Sequence, residues 1–535
     1  MIFDETWAVW AAERGLGRHA SPSPLCALMR VGLARAPAGP AVEDGTRSLS
    51  FADLALRVPA LAGALHEAAG GLGGRVAVSM GNRVEWIEAW LAAFQAGVGL
   101  VPLHPELPEA TVRAIVRRTL PAAVVADVQG ASVARVALDA APGAPQRIAV
   151  GEAGGDWERM ARSAPKGRPG DPGADAVAAV FPTSGTTGEP KGVVVTHANW
   201  AAGLRGLEAA FGAPGGDDVL LHVTALSHTA SELILPALAA GARQVVLSDG
   251  DCAAAAERVG RGEGTRLFLS SAMLESFVDA GRRSRADGGR LRSLLYGGAP
   301  VSANVIERAL TFFGPVLEQG YGQTETFPPT LALSRADHVI PGARGRRLRE
   351  SLGRPVPTCE VRLVDAEGTE EVAPGAVGEI AVRGANVTPG YFGDEAATAR
   401  AKRGGFHLTG DVAVRDPDGT VRLMGRRAEA LGSSGRAVHA RQVEREAEEH
   451  PDVREAAACE VGGSVVLAVV PRGGDGSVLL ASLRQRLADR LGPAARPSRI
   501  VVVPALPRNA NRKLERGVLA EILGVGCGAA VPREE

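Results

Sequence analysis

The sequence predicts an α/β protein: a large N-terminal domain of βαβ-type sheets carrying a small β-rich subdomain, then a smaller, mobile α+β C-terminal domain. Three observations carry this. Between about residue 75 and 300, short apolar runs alternate with longer helix-like segments, the pattern of parallel sheets covered on both faces. From about 353 to 424 the texture turns to short strands with Asp-Gly turns. After "GRRAE" (425–429) a compact segment mixes helices and strands. A chain of 535 residues is too long for one ordinary core.

Taken in order, "RVAVSM", "AAVVADV", "DVLLHVTAL", "ARQVVLSDG" and "TRLFLSS" read as buried strands, and "NRVEWIEAWLAAFQAG" as a helix between them. "KGRPGDPGADA" (166–176) is a Pro/Gly-rich loop. "CEVRLVDAEGT", "GEIAVRG" and "VAVRDPDGTVRLMG" read as hairpin strands of the subdomain 353–424. The last domain shows a helix "ARQVEREAEEH", a strand pair near "REAAACEVGGSVVLAVVPR", a helix "LLASLRQRLADRLG" and a strand "SRIVVVPAL". The domains are thus expected at 1–425 and 426–535, with no internal repeat.

Bulk properties exclude several classes. Hydrophobic residues at 45% and charged ones at 22% describe a globular chain. The formal net charge is -1 without a long basic run, which argues against nucleic acid as a partner. No apolar run approaches the roughly 20 residues of a membrane span, and the first thirty residues lack a signal-like apolar region. The five cysteines, Cys26, Cys252, Cys359, Cys459 and Cys527, have no metal or CxxC spacing. A cytoplasmic setting is expected.

Of the 59 basic residues only four are lysines: Lys166, Lys191, Lys402 and Lys513. Arginine does the routine work here, so a retained lysine points to a compact point charge that a planar guanidinium cannot replace.

"PTSGTTGEPKGVVVTHAN" (182–199) sets small hydroxyl donors and glycines ahead of one such lysine. A loop of this kind after a strand can wrap a polyphosphate, its N–H groups and hydroxyls donating to phosphate oxygens. Thr183, Ser184, Thr186 and Thr187 are the hydroxyl donors, Gly185 and Gly188 allow close approach, and Lys191 is the point charge. It is not a Walker A loop, because Gly192 stands where that motif needs Ser or Thr.

This stretch resembles the phosphate-binding loop of the adenylate-forming superfamily, the acyl-CoA synthetases, stand-alone adenylation enzymes and luciferases, and most of all a carboxylic acid–CoA ligase. The resemblance runs in the family's order over nearly the whole chain, through "LSFADLALRVPALAGAL", "AGVGLVPLHPELP", "LYGGAPVS", "GYGQTE", "GEIAVRGANVTPGYFGD", "TGD", "GR" and "LPRNANRKLER". It implies activation of a carboxylate by ATP with release of pyrophosphate, then transfer of the acyl group to a thiol. The expected cofactors are ATP, Mg2+ and CoA, or the phosphopantetheine of a carrier protein.

The resemblance also implies roles. Glu325 would bind magnesium, with Thr187 of the loop. Thr324 would contact the α-phosphate. Tyr321 would stack beside the adenine, with Gly298, Ala299 and Pro300 lining the base and Gln319, Gly320 and Gly322 completing the nucleotide wall. Asp411 would hold the ribose hydroxyls and Arg426 ribose or phosphate. Lys513 would reach the substrate carboxylate and the α-phosphate. His228 would gate the acyl and thiol tunnel, with Gly297, Thr326 and Gly435 on its walls. His197 reads as a structural hydrogen-bonder.

Three positions depart from the family's pattern. Ala428 stands where the hinge acid is usual, Ser434-Gly435 replaces Gly-Gly, and Arg512 replaces the Gly before the terminal lysine. The swing between half-reactions therefore rests on an alanine. The acyl pocket, built from small and apolar residues after His228, from 296–299 and after "YGQTE", favours an apolar aliphatic or aryl acid. Glu232 reads as a helix-surface glutamate, with an amine-holding role as the alternative. CoA, a carrier protein or an amine remain open as acceptors; a luciferase-like oxygenase or a nucleotide-binding pseudoenzyme is the reading from another class.

Overall fold

The computed structural model describes residues 23–35, 39–151, 154–165, 171–183, 190–284, 289–431, 438–473, 476–492, 495–509 and 512–525. The expected α/β architecture is observed. A six-stranded sheet runs in the order Gln146–Ala149, Ala123–Ala126, Arg75–Ser79, Gly99–Pro102, Val177–Thr183, Lys191–Thr196. Its first five strands are parallel and the last is antiparallel. A nine-stranded sheet has a parallel centre, Leu317–Tyr321, Ser293–Gly297, Arg266–Ser270, Val219–His222, Arg243–Val246 and Pro40–Glu43, closed by antiparallel edge strands.

Helix Val84–Ala96 explains how the two sheets share one core. Every residue in it except Gln95 is buried, as expected of a helix with apolar residues around most of its circumference. Trp90 packs edge-on to Trp200 with centroids 5.1 Å apart, and stacks near Phe181 at 5.9 Å. The indole N–H groups of Trp86 and Trp90 donate to the carbonyls of Met80 and Leu226, both at 3.0 Å. The one fully buried acid of this helix, Glu88, accepts from Arg57 Nε at 2.5 Å and from Trp157 Nε1 at 3.0 Å. A buried carboxylate needs such partners.

The β-rich region consists of the antiparallel strands Cys359–Val364, Val377–Gly384, Phe406–Arg415 and Val421–Arg426, with the short Lys402–Arg403 beside Phe406–Arg415. The last strand passes into a single 3₁₀ turn, Arg427–Glu429. Beyond it, Val453–Val461 pairs antiparallel with Ser464–Pro471, which pairs parallel with Arg499–Val502. Helices Ala440–Glu448, Gly476–Arg490 and Arg516–Val525 accompany this sheet. Arg516 ties the region together, donating to Glu429 at 2.8 Å, to the Ala458 carbonyl at 2.7 Å and to Glu444. The same region touches the larger part of the chain: Asn304 Nδ2 donates to the Glu448 carbonyl at 3.1 Å, and Arg454 and Arg472 pair with Glu275. Among the described residues no helix is long and apolar enough to cross a membrane.

Candidate active site

The carboxyl ends of the parallel strands bring most of the sequence-selected residues together. Strands Val177–Thr183 and Lys191–Thr196 pair with Thr183 opposite Lys191, closing the base of the Ser/Thr/Gly loop. Ser184, Gly185, Thr186, Thr187 and Gly188 lie outside the described residues, as does Gly435. At the base of the loop, the Lys191 ammonium sits 4.9 Å from the centre of the Tyr391 ring, a cation–π distance. The Tyr391 hydroxyl donates to Glu325 Oε1 at 3.0 Å. Burial, and then the Glu325 charge, push that phenol well above its ordinary pKa. Lys191 and Glu325 are therefore joined through one tyrosine.

Strand Leu317–Tyr321 delivers the next group. The Tyr321 hydroxyl donates to Asp411 Oδ2 at 2.7 Å, and Gln323 Nε2 donates to the same oxygen at 2.8 Å. Asp411 lies directly across the strand pair from Arg426, whose Nε is 3.3 Å from Oδ1. The carboxylate is thus oriented by three donors from two sheets. The Tyr321 phenol is raised well above its ordinary value by burial and by the Asp411 charge.

The strand ends also need glycine. Gly297 pairs with Gly320, and a Cβ at Gly297 would run into the Gly320 carbonyl. Gly298 has φ +90°, a conformation that side chains disfavour. The result is a bare edge followed by Ala299 and Pro300. Thr326 departs from expectation. It is 1% exposed; its oxygen accepts from the Gln323 N–H at 3.1 Å and from the Thr330 hydroxyl at 2.9 Å. The tight 3₁₀ turn Thr324–Thr326 directs Thr324 to the cavity and Thr326 away from it.

Two cavities meet at this edge. One is largely apolar, with Phe181, Leu207, Phe211, Phe268, Leu295 and Phe327 on its walls together with Thr324, Gly297 and His228. The other lies between the two parts of the chain and is lined by Ala299, Pro300, Gln319, Tyr321, Asp411 and Arg426. Gly298, Gly320, Gly322, Gln323 and Lys513 line both. Lys513 is exposed and opens onto both cavities, whose walls take away part of its hydration. That desolvation and the nearby Arg426 lower its pKa, while Glu325 and Asp411 act to raise it.

His228 packs edge-on to Phe181, with centroids 5.8 Å apart. Burial, then Lys513 and His104, push its pKa down to about 3, so it is neutral at working pH. His197 is fully buried, with Nδ1 2.5 Å from Ser23 Oγ, the structural role expected of it. Glu232 corrects the sequence expectation. It is not on a helix surface but 7% exposed and on the wall of the apolar cavity. The segment Thr229–Leu233 is a 3₁₀ turn, and three residues per turn set Glu232 on the same side as Thr229, which lines the same wall.

Ala428 is exposed in the middle of the 3₁₀ turn after Arg426. Arg512 adopts φ +60°, where the family's glycine would sit without cost. Its Nη2 donates to Asp249 Oδ2 at 3.1 Å, and the Lys513 N–H donates to Asn509 Oδ1 at 3.0 Å. Sequence reasoning passed over Tyr391, Gln323 and Asp249. The first two stood inside quoted motifs; the third pairs with a residue 263 positions away, for which the sequence carries no local signal.

Comparison with known proteins agrees with this geometry. The AMP-binding enzyme family matches residues 30–392, and the AMP-binding enzyme C-terminal domain matches residues 442–513. A feruloyl-CoA synthase from Amycolatopsis is 33% identical over 515 residues, 91% of this chain and 96% of that one. An indoleacetate–CoA ligase from Aromatoleum aromaticum is 30% identical, covering 91% and 96%. Among solved structures, the amide bond synthetase McbA from Marinactinospora thermotolerans superposes with a TM-score of 0.83 at 30% identity, covering 94% of this chain and 100% of that one. Matches of this length place the chain in the AMP-binding enzyme family, as an ATP-dependent, AMP-forming acid–thiol ligase.

Proposed function

We propose that the chain activates an aryl carboxylic acid as its acyl-adenylate and passes the acyl group to the thiol of CoA. The observation that carries this is Lys513, which lines both the apolar cavity and the polar one. Of the residues that line both cavities Lys513 is the only charged one, so an acid in the first and a nucleotide in the second would meet beside its ammonium. The aromatic walls Phe181, Phe211, Phe268 and Phe327 beside a glycine edge suit a flat ring better than a flexible chain.

In the first step a carboxylate oxygen of the substrate attacks the α-phosphorus, the bond to the bridging oxygen breaks, and pyrophosphate leaves. Lys513 faces the charge that develops there, and Thr324 donates beside it. Asp411, held by Tyr321, Gln323 and Arg426, accepts from the ribose hydroxyls, while Lys191 meets the outer phosphates. Among the described residues no group of three or more His, Cys, Asp or Glu could hold a metal alone. One carboxylate fits a magnesium ion that takes its other ligands from water and substrate phosphates, and Glu325, oriented by Tyr391, is that carboxylate. When bound, the ion neutralises phosphate charge. In the second step the thiol sulfur attacks the acyl carbon and AMP leaves. We assign the C-terminal region from residue 426 as the mobile part, Ala428 as its pivot and His228 as the gate to the thiol.

A second acceptor, an amine, is favoured by one observation: the Arg512–Asp249 contact holds Lys513 at the adenylation site, and an amine could attack there without a swing. Pyrophosphate exchange over a panel of aryl, fatty and amino acids tests the first step, with Lys513→Ala beside the wild type. Acid-dependent exchange that falls by about 10²-fold or more in the variant is expected. Acyl-CoA on adding CoA confirms the second step; exchange without acyl-CoA turns the assignment to an amine or a carrier protein. No exchange with any acid overturns it.

A further inference from the structure

We propose that Glu232 selects the substrate: the acid carries a neutral N–H or O–H donor on its ring, and that donor is held by the Glu232 carboxyl. This rests on the acid-activating function proposed above and names its substrate class. Glu232 is 93% buried, being 7% exposed, and lines the apolar cavity. It has no hydrogen-bond or ion-pair partner among the described residues. Buried polar groups are paired in folded proteins, and a departure calls for a missing partner. Ser270 is a second such group. Its hydroxyl is buried and unpartnered on the same cavity wall.

Position identifies which part of the substrate Glu232 meets. Lys513 is shifted by Arg426, Glu325 and Asp411, whereas Glu232 is shifted upward by burial alone. The carboxyl lines the apolar cavity with Phe211, Phe268, Leu207 and Leu295, and it is not on the wall of the polar cavity that holds Tyr321, Asp411 and Arg426. Burial favours its protonated, neutral form, in which the carbonyl oxygen accepts and the hydroxyl donates. A phenol, aniline or ring N–H satisfies it without moving a proton. An alkylammonium group would require separated charge in an apolar wall, and a hydrocarbon ring would leave the carboxyl unpaired.

The test compares wild type, Glu232→Gln and Glu232→Leu with matched benzoic and phenylpropenoic acids bearing hydroxyl, amino or methyl groups. Binding is read by calorimetry and activation by pyrophosphate exchange. The wild type should prefer donor-bearing acids over their methyl counterparts by about tenfold or more. Glu232→Gln, a near-isostere that can still accept, should keep most of that preference, and Glu232→Leu should invert it. Equal binding of methyl and hydroxyl acids, a ratio unchanged in Glu232→Leu, or a preference for alkylammonium acids overturns the assignment, even where exchange persists and acid activation stands. A donor preference in binding with no exchange for any acid leaves Glu232 assigned and overturns the activation chemistry instead. No binding of any acid overturns both.

Discussion

Arg512 Nη2 donates to Asp249 Oδ2 at 3.1 Å, linking the turn that carries Lys513 to the loop after strand Arg243–Val246. His104 Nε2 lies 3.5 Å from the same oxygen. Burial alone would raise the Asp249 carboxyl; the hydrogen bond from His104 and the Arg512 charge outweigh it and hold its pKa below the ordinary value. Because Arg512 also holds φ +60°, the backbone next to Lys513 is both strained and clasped. Strain of that kind persists only where a contact offsets it.

The clasp should favour the first half-reaction. Asp249→Ala is expected to lower pyrophosphate exchange by about two- to fivefold, the range of one partly exposed ion pair, while release of acyl product from a pre-formed adenylate is unchanged or faster. Arg512→Gly should act in the same direction, since it removes the ion pair and relaxes the backbone together. If both variants leave the ratio of the two half-reactions as in wild type, the contact does not bear on domain position.

Tyr391 offers a sharper probe of the phosphate end. Tyr391→Phe keeps the ring under Lys191 but removes the donor to Glu325 Oε1. Loss of one charge-assisted hydrogen bond that orients a carboxylate costs about 1.5–3 kcal/mol. Exchange should therefore fall by about 10- to 100-fold, with a rise in the magnesium concentration needed for half-maximal rate. Tyr391→Ala should cost more, because the cation–π contact is lost as well. A Tyr391→Phe enzyme with unaltered magnesium dependence contradicts the assigned role of Glu325.

Asp411 can be tested without changing its shape. Asp411→Asn removes one acceptor and its charge, leaving Tyr321 and Gln323 with a poorer partner. The KM for ATP should rise by about tenfold or more with a smaller change in kcat, the mark of lost ground-state binding. A fall in kcat alone would mean that Asp411 acts on the reaction and not on the nucleotide.

The α/β architecture was legible because parallel strands buried on both faces read as continuous apolar runs, and helix Val84–Ala96 lies between them as a mostly apolar segment. The site's chemistry was legible where it clusters locally, as in "YGQTE" and "TGD". What sequence could not give is orientation. Glu232 looked like a surface residue because a helix was assumed; the 3₁₀ turn Thr229–Leu233 turns it into the cavity. Thr326 looked like wall because it follows Glu325, yet the same kind of tight turn points it inward. Asp249 could not be found at all, since its partner lies across the fold.

Ala428 sits in a one-turn 3₁₀ segment whose only cap hydrogen bond runs from the Ala430 N–H to the Arg427 carbonyl. Proline there fixes φ near −65° and restricts Arg427 as well. If the C-terminal region pivots at this point, Ala428→Pro should leave exchange within about threefold of wild type and lower acyl-CoA formation by more than about tenfold. Equal effects on both steps would place the pivot elsewhere.

The buried His197, His222 and His338 and the half-buried His228 set an acid limit on the fold. Burial pushes His197, His222 and His338 down to about 4, and His228 to about 3. Each is neutral when folded but takes a proton on unfolding once the pH falls below about 6.5. The unfolded state then binds more protons than the folded one, so stability is full above 6.5 and declines as the pH falls from there toward 4. Glu232 and Glu318, raised by burial, pull the other way, so a single variant must isolate the effect. In His222 the Nε2–H donates to Gln244 Oε1 at 2.9 Å, and the His222→Gln amide can donate there without titrating. Its urea midpoint should therefore lie below that of wild type at pH 7.5 by the cost of imperfect packing, and the deficit should shrink as the pH drops to 5. The recovery expected from one such proton is on the order of 2 kcal/mol. A deficit that stays constant across that range would show that His222 keeps an ordinary pKa in the folded protein.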